Sequence, residues 1–238
     1  MTSKGNTNSP QTTARTAAIL FLIIFCLGIS TELFIRPDII MPGDAAATVT
    51  NIRASESLFR LSLVSDLIRQ IFMVLLVLVL YKLLKPVNKN IALVMVIFAL
   101  VSVPLVMLNE LNHFAALLLT RGTDYLTAFK ADQFHAQVMF FLNLQEYGTF
   151  IPQIFSFWVL LLGYLVFKSG FLPRILGILL MIGGLCYPIQ AILFFLFPNF
   201  DAMILGLFAF IGELAFYLWL LIKGVNAEQW EKRALGSA

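Results

Sequence analysis

Ionisable side chains inside or beside long apolar stretches are the residues of this chain that could do chemistry. A charged group in a bilayer costs several kcal/mol unless it is paired or hydrated, so each such residue indicates a possible functional site. Most of them lie in the half of each stretch that we assign to the outer side of the membrane. We therefore predict a polar cavity that opens to that side, lined by these candidate ligand-binding residues: Glu32, Asp66, Arg69, Glu110, His113, Glu146 and Glu213.

Helical spacing predicts which of these side chains meet. Asp66 and Arg69 are three residues apart, so they can pair on one helix face. Glu110 and His113 have the same spacing. Glu213 is the most isolated, near the middle of the last apolar stretch. It must either carry a proton or meet a cation such as Arg69.

The Glu110-x-x-His113 spacing allows a second interpretation, because one helix offers two metal ligands in this way in carboxylate-bridged bundles. With two histidines in the chain, His135 would have to complete a metal site formed by Glu110, His113 and His135. There are two alternatives for Glu110 and His113. They pair with Asn or Arg at the membrane interface, or they contact a ligand or transfer a proton. The sequence leaves the identity of any cofactor unknown.

The composition places the chain in a membrane. Apolar residues make up 60% and charged residues 12% of 238, and the mean hydropathy is +0.92. Soluble domains carry about twice that share of charge. A net charge of +3 without a basic block excludes nucleic acid as a partner, so the lipid bilayer is the expected environment.

Six stretches are long enough, at about 20 apolar residues, to cross a bilayer as helices. We therefore predict an all-α, six-helix transmembrane bundle. Short loops rich in Lys, at 82–90 and 168–174, predict that both termini lie in the cytoplasm (N-in/C-in). The expected layout is a disordered cytoplasmic tail at 1–13, a polytopic membrane domain at 14–225 and a short cytoplasmic tail at 226–238. The predicted spans are Ala17–Ile35, Leu67–Leu84, Ile91–Leu111, Gly148–Phe167, Ile175–Phe197 and Ala202–Ile222.

Two helical segments are predicted outside the spans, on the outer side. Asp44 is an expected N-cap for the first, in which Val49, Ile52, Phe59 and Leu63 recur at helical spacing. The second covers residues 120–145. Its polar residues, taken with those that follow, form a stripe that leads into the fourth span: Asp132, His135, Asn143, Glu146 and Gln153.

Several blocks of the sequence resemble the bacterial domain-of-unknown-function 4386 family. They include Met41–Thr48, Tyr81–Asn90, Leu111–Ala115 and Gly163–Gly177. The resemblance implies a bacterial inner-membrane protein without an assigned activity, substrate or cofactor. Family members tend to have a His near the start of the fourth span, where this chain has Gln145-Glu146-Tyr147, so a three-histidine metal site is not implied.

Three kinds of function fit these observations. The first is binding or transport of a small polar or amphiphilic, lipid-like molecule in the cavity. The second is a metal-dependent or acid–base intramembrane enzyme. The third is an accessory or signalling protein whose polar groups only hold the helices together.

Overall fold

The computed structural model describes residues 9–121, 130–197 and 203–236, and every regular element within these ranges is helical. A six-residue π-helical segment, Ser30–Ile35, follows the first helix, and a 3₁₀ turn, Ile154–Ser156, precedes the helix that begins at Phe157. The α-helices are α1 (Pro10–Ile29), α2 (Arg36–Ile39), α3 (Ala45–Ala54), α4 (Glu56–Leu84), α5 (Lys89–Thr120), α6 (Ala131–Gly148), α7 (Phe150–Gln153), α8 (Phe157–Ser169), α9 (Arg174–Leu196), α10 (Met203–Ile222) and α11 (Ala227–Gly236).

Six helical stretches within the described residues are long and apolar enough to cross a membrane, so the predicted all-α fold with six spans is confirmed. Four of them extend well beyond the predicted apolar cores, because polar turns continue the same helices. The stretches are Pro10–Ile39, Glu56–Leu84, Lys89–Thr120, Ala131–Ser169, Arg174–Leu196 and Met203–Ile222.

The predicted tails are partly helical. Residues 1–8 lie outside the described residues, and α1 already begins at Pro10, within the segment expected to be disordered. At the other end, α11 occupies most of the segment expected as a short tail. Its indole at Trp230 donates a hydrogen bond to the Leu83 carbonyl at 2.7 Å, which ties it to the end of α4.

The described helices divide into two compact units. The first contains residues 9–22, 73–102, 153–197 and 203–236, and the second contains residues 23–72, 103–121 and 130–152. In the first unit, α8, α9 and α10 pack closely because glycines face their neighbours. A Cβ at Gly184 would lie 2.2 Å from the Leu160 backbone nitrogen. Small residues allow this approach in membrane helices, where lipid is as apolar as the side chains and close van der Waals packing drives association.

The second unit has its own apolar core around the first of the two helical segments that were predicted outside the spans. The Asp44 carboxylate accepts a hydrogen bond from the Ala47 backbone N–H at 2.8 Å, so Asp44 is the predicted N-cap. The helix expected to run on from Ala45 is interrupted at Ser55, between α3 and α4. Buried core residues include the predicted four: Val49, Ile52, Phe59 and Leu63, with Leu117, Phe134, Val138 and Leu142.

Candidate functional site

A group of charged and amide side chains meets inside the second unit. Four segments supply it: the π segment with the start of α2, then α4, α5 and α6. Its members lie far apart in the sequence, so only the fold brings them together. We call this group the Arg36 cluster, and it consists of Glu32, Arg36, Asp66, Arg69, Glu110, His113 and Gln145.

The π segment positions the first two members. π-helical turns are rare and occur frequently at functional sites. Here the hydroxyls of Ser30 and Thr31 donate hydrogen bonds to the carbonyls of Leu27 and Gly28, at 2.8 and 2.9 Å. Pro37 then follows at the start of α2, which begins at Arg36. This irregular stretch ends with Arg36 buried (8% exposed), while Glu32 stays exposed.

Arg36 is the centre of the cluster. Its two terminal nitrogens form salt bridges with different carboxylates, Nη1 with Glu32 and Nη2 with Asp66. The same Nη2 lies 3.8 Å from Glu110 Oε2 and 3.4 Å from His113 Nδ1. A guanidinium suits this position because its planar, delocalised charge can be shared among several oxygen atoms.

Asp66 is held by two cations. Arg36 binds its Oδ2 atom, and Arg69 Nη1 donates to Oδ1 at 2.8 Å. Asp66 is 3% exposed, so this carboxylate has exchanged water for two guanidinium groups. The pairing predicted between Asp66 and Arg69 is therefore present in the structure, with Arg36 as an additional partner.

Glu110 and His113 form the other half of the cluster. His113 Nδ1 lies 2.9 Å from Glu110 Oε2, and Gln145 Nε2 donates to Glu110 Oε1 at 3.1 Å. An ionised Glu110 only accepts hydrogen bonds, and in that state Nδ1 of His113 is the donor. The edge-on ring of Phe59 packs against this imidazole, with centroids 5.8 Å apart. An imidazole oriented by a carboxylate is an arrangement capable of acid–base chemistry.

The charges of the cluster do not balance when the imidazole is neutral. Two guanidinium groups, from Arg36 and Arg69, face three carboxyl groups, from Glu32, Asp66 and Glu110, and the sum is one net negative charge when all three are ionised. One additional proton or one positively charged group would neutralise it. The cluster also has unused donors, since the Nε atoms of both arginines are buried and lack a hydrogen-bond partner among the described atoms.

The structure brings together five of the seven predicted ligand-binding residues: Glu32, Asp66, Arg69, Glu110 and His113. Glu146 is not among them, because it lies on the exposed side of α6. Its neighbour Gln145 is buried and contacts Glu110 instead. Glu213 belongs to the first unit, where it is buried (8% exposed). The partner suggested for it, Arg69, pairs with Asp66.

The polar stripe predicted along α6 is not the face that this helix buries. The buried side chains are Phe134, Val138, Leu142 and Gln145. Asp132, Asn143 and Glu146 lie on the exposed faces instead. The buried side chain that α6 contributes to the Arg36 cluster is the amide of Gln145.

Of the three residues predicted to form a metal site, two are in contact in the structure. Glu110 and His113 meet, whereas His135 is half-buried beside the ring of Phe134, with centroids 5.6 Å apart. In the described part of the chain, no group of three or more His, Cys, Asp or Glu residues could hold a metal ion.

Two members of the cluster were missed by sequence reasoning. Arg36 precedes Pro37 at the end of the first span, where a flanking cation needs no explanation. Its four-residue spacing from Glu32 was the available signal. Gln145 was overlooked in favour of the charged residue next to it, although helical spacing from the core positions Val138 and Leu142 favours Gln145.

The model of a family described as domain of unknown function (DUF4386) matches residues 16–224 of the chain. The chain belongs to the DUF4386 family. A relative from Archaeoglobus fulgidus, described as an uncharacterized protein, is 33% identical over 145 residues, which cover 61% of this chain and 72% of the relative. No solved structure matches this DUF4386 protein. The whole Arg36 cluster lies within the region that defines the family.

Proposed function

We propose that this multi-pass membrane protein binds a small polar or amphiphilic molecule at the Arg36 cluster, in a binding or transport role. One observation carries the proposal: ionisable groups from three separate helical segments converge on one buried guanidinium. Charged groups inside a membrane protein are costly to bury and commonly mark a pathway or a ligand site. The net negative charge of the cluster and its unused donors are the capacity that a ligand would use.

The chemistry of the open positions indicates the kind of ligand. The Nε donors of Arg36 and Arg69 call for a neutral oxygen acceptor, such as a carbonyl group. Glu32 has 55% of its side chain exposed, so it is the member that an approaching molecule reaches first. Leu33 and Phe34, beside it on the π segment, are exposed apolar side chains that suit the hydrocarbon part of an amphiphile.

A structural role is the second candidate, because each carboxylate of the cluster already has a partner. Asp66 has two arginines, Glu110 has His113 and Gln145, and Glu32 has Arg36. A buried network in which every carboxylate is paired can serve to fix one arrangement of helices rather than to bind anything. In that case the cluster holds α4, α5 and α6 around α2 and needs no ligand.

An acid–base enzyme is the third candidate, and the Glu110–His113 pair supports it. With Nδ1 bonded to the carboxylate, Nε2 of His113 would be the atom that exchanges a proton with a substrate. The metal-dependent version has no third ligand among the described residues.

Copurification of small molecules tests the leading proposal. The protein would be purified in a mild detergent, and bound lipids and metabolites would be quantified by mass spectrometry. We expect one molecule to be present at near-stoichiometric amounts in the wild type and to fall at least tenfold in Arg69→Gln. Arg60→Gln is the matched control, because Arg60 also lies on α4 and pairs with Glu56 outside the cluster.

The three candidates give different results. A bound molecule that is retained equally in Arg69→Gln and Arg60→Gln argues against the cluster as its site. Absence of any stoichiometric molecule, with stability lost in the Arg36 variants, supports the structural role. Chemical conversion of an added lipid, abolished by His113→Gln, supports the enzyme.

We also propose that the protein lies in the cell inner membrane with both termini in the cytoplasm. The support is the concentration of Lys and Arg in the loops 82–90 and 168–174. Reporter fusions at Glu228 and at Arg53 test the orientation. An external reporter active at Arg53 and inactive at Glu228 is expected, and the reverse pattern contradicts it.

A further inference from the structure

A cavity of about 360 Å³ lies at one end of the first unit, where α10 ends and α11 begins. Its walls are the loop 170–173, which joins α8 to α9, the segment 223–226, which joins α10 to α11, and the residues Trp219 and Gln229. Ligand pockets have volumes of about 300–1,000 Å³. The cavity is therefore large enough to hold a small polar group.

Hydrogen bonds hold the walls of this cavity in place. The Asn226 backbone N–H donates to the Phe171 carbonyl at 3.1 Å, which joins the two loops. The side chain of Gln11, on α1, binds Val225 twice, because Nε2 donates to its carbonyl at 2.8 Å and Oε1 accepts from its N–H at 3.1 Å. Gly224 adopts a φ of 68°, which residues with a side chain rarely adopt. The cavity is therefore formed by a defined backbone path.

Lys223 is the charged residue among the described residues that line the cavity. It is exposed, and no carboxylate in the described part of the chain forms a salt bridge with it. The acidic residue in the first turn of α11, Glu228, pairs with Lys232 at 2.6 Å instead. A Lys ammonium binds phosphate as a point charge. The charge of the cavity therefore favours an anionic ligand.

An amide group adds hydrogen-bond donors to the cavity. Oδ1 of Asn226 accepts a hydrogen bond from the Gln229 backbone N–H at 3.1 Å and so caps the start of α11. Because this oxygen is engaged, Nδ2 is the end of the Asn226 amide that remains for a ligand. Lys223 and Asn226 together offer positive charge and N–H donors, which suit the oxygen atoms of a phosphodiester.

The exposed apolar face of α10 leads to the cavity. Ile211, Leu218 and Ile222 are exposed at helical spacing along this span. Ile222 directly precedes Lys223. Trp219, one turn before Lys223, is part of the cavity wall, and tryptophan is enriched where membrane helices meet the membrane surface. Hydrocarbon chains in contact with α10 therefore end beside the donors of the cavity.

We propose that this cavity binds the headgroup of an anionic phospholipid, whose hydrocarbon chains lie along the exposed face of α10. Its phosphate accepts hydrogen bonds from the Lys223 ammonium and the Asn226 amide. Basic pockets between membrane helices bind anionic lipid headgroups in this way. A water-soluble phosphate would use these donors but not the apolar face, whereas a lipid uses both. The site belongs to the first unit and does not depend on the ligand proposed for the Arg36 cluster.

Quenching of tryptophan fluorescence by brominated lipids tests this proposal, because bromine quenches at short range. The protein would be reconstituted into vesicles of phosphatidylcholine and phosphatidylglycerol, with bromine on one lipid or the other. The signal of Trp219 is the difference between the wild type and Trp219→Phe. In the wild type we expect Trp219 to prefer phosphatidylglycerol by about fivefold, the effect of one lysine near an anionic membrane surface.

Variants of two lysines separate the cavity from the rest of the surface. Lys223→Gln should abolish the preference, and Lys223→Arg should retain it because the charge is kept. Lys85→Gln is the matched control, since Lys85 is also exposed in the first unit but does not line the cavity. This control should keep the preference of the wild type. Circular dichroism of each variant confirms that the helices remain intact.

Three results would overturn the site. Equal quenching by the two brominated lipids in the wild type shows that the cavity does not select an anionic lipid. Equal loss of the preference in Lys223→Gln and Lys85→Gln shows that only the overall positive charge of the surface attracts the lipid. Release of the quenching by glycerol phosphate, compared with chloride at the same ionic strength, shows that the cavity takes a water-soluble phosphate instead.

Discussion

Arg36 and Asp66 are thirty residues apart in the chain, yet Arg36 Nη2 bonds directly to the Asp66 carboxylate, and both side chains are buried. This contact joins the end of the first span to α4. Burying two charges costs several kcal/mol per ion, which their attraction offsets only when the remaining hydrogen-bonding groups are also satisfied. The additional bonds from Glu32 and Arg69 supply much of that satisfaction.

Replacing Arg36 by Gln should destabilise the protein strongly. Three carboxylates would lose a shared cation, and breaking a buried ion pair on one side typically costs about 3–5 kcal/mol. The unfolding temperature in detergent, followed by circular dichroism, measures the effect. Arg36→Lys should be intermediate, because an ammonium keeps the charge but cannot span Glu32 and Asp66 at once.

Arg15→Gln is the control for this experiment, since Arg15 is exposed on α1 and is expected to change stability by less than about 0.5 kcal/mol. Equal unfolding temperatures for Arg36→Gln and Arg15→Gln would show that Arg36 is not the centre of the cluster.

Exchanging the neighbours Gln145 and Glu146 tests the orientation of α6. Gln145→Glu places a fourth carboxylate next to Glu110 and removes the N–H donor, so a large loss of stability is expected. Glu146→Gln should have little effect because Glu146 is exposed. Thermal unfolding of the two variants measures the difference. If Glu146→Gln proves the more damaging, α6 presents the other face to Glu110.

The two histidines should differ sharply in their sensitivity. His113 bonds to Glu110 in a buried position, so His113→Ala leaves a carboxylate oxygen short of a partner, at a cost of about 1–3 kcal/mol. His135→Ala should cost much less, because His135 is half-buried beside Phe134. Chemical denaturation of both variants in detergent provides the comparison, and equal losses would contradict the assigned roles.

Gly184→Ala should disrupt the first unit. The added methyl group would lie 2.2 Å from the Leu160 nitrogen, and a backbone atom cannot move aside as a flexible side chain can. Overpacking of this kind costs about 1–3 kcal/mol or more. Gly236→Ala is the control, because nothing lies within 4 Å of a Cβ at that position. Similar unfolding temperatures for the two variants would contradict the close approach of α8 and α9.

The candidate site shows where sequence reasoning stops. The Asp66–Arg69 and Glu110–His113 pairs follow from helical spacing, because residues three positions apart share a face. Neither pair reveals that Arg36 connects the two, since that connection depends on how separate helices pack. Glu146 was predicted as a site residue because it is charged, and Gln145 was not. Which of the two is buried depends on the face that α6 turns toward the apolar core of the second unit.

Glu213 illustrates the same limit in the first unit. Its position in an apolar helix required either a proton or a cation, and the sequence alone left both open. The structure pairs Arg69 with Asp66, so the cation suggested for Glu213 is engaged elsewhere. That pairing depended on which helices became neighbours.

The sequence by itself determined the all-α class, the six spans and the cap at Asp44, because apolar length and local hydrogen bonding are properties of contiguous residues. Only the tertiary structure decided that Arg36 is the shared cation, that Gln145 faces inward and that Arg69 pairs with Asp66 rather than with Glu213. Those outcomes depend on the rotation and packing of helices far apart in the chain. Hydrophobic periodicity constrains that packing only weakly when lipid is as apolar as the protein core.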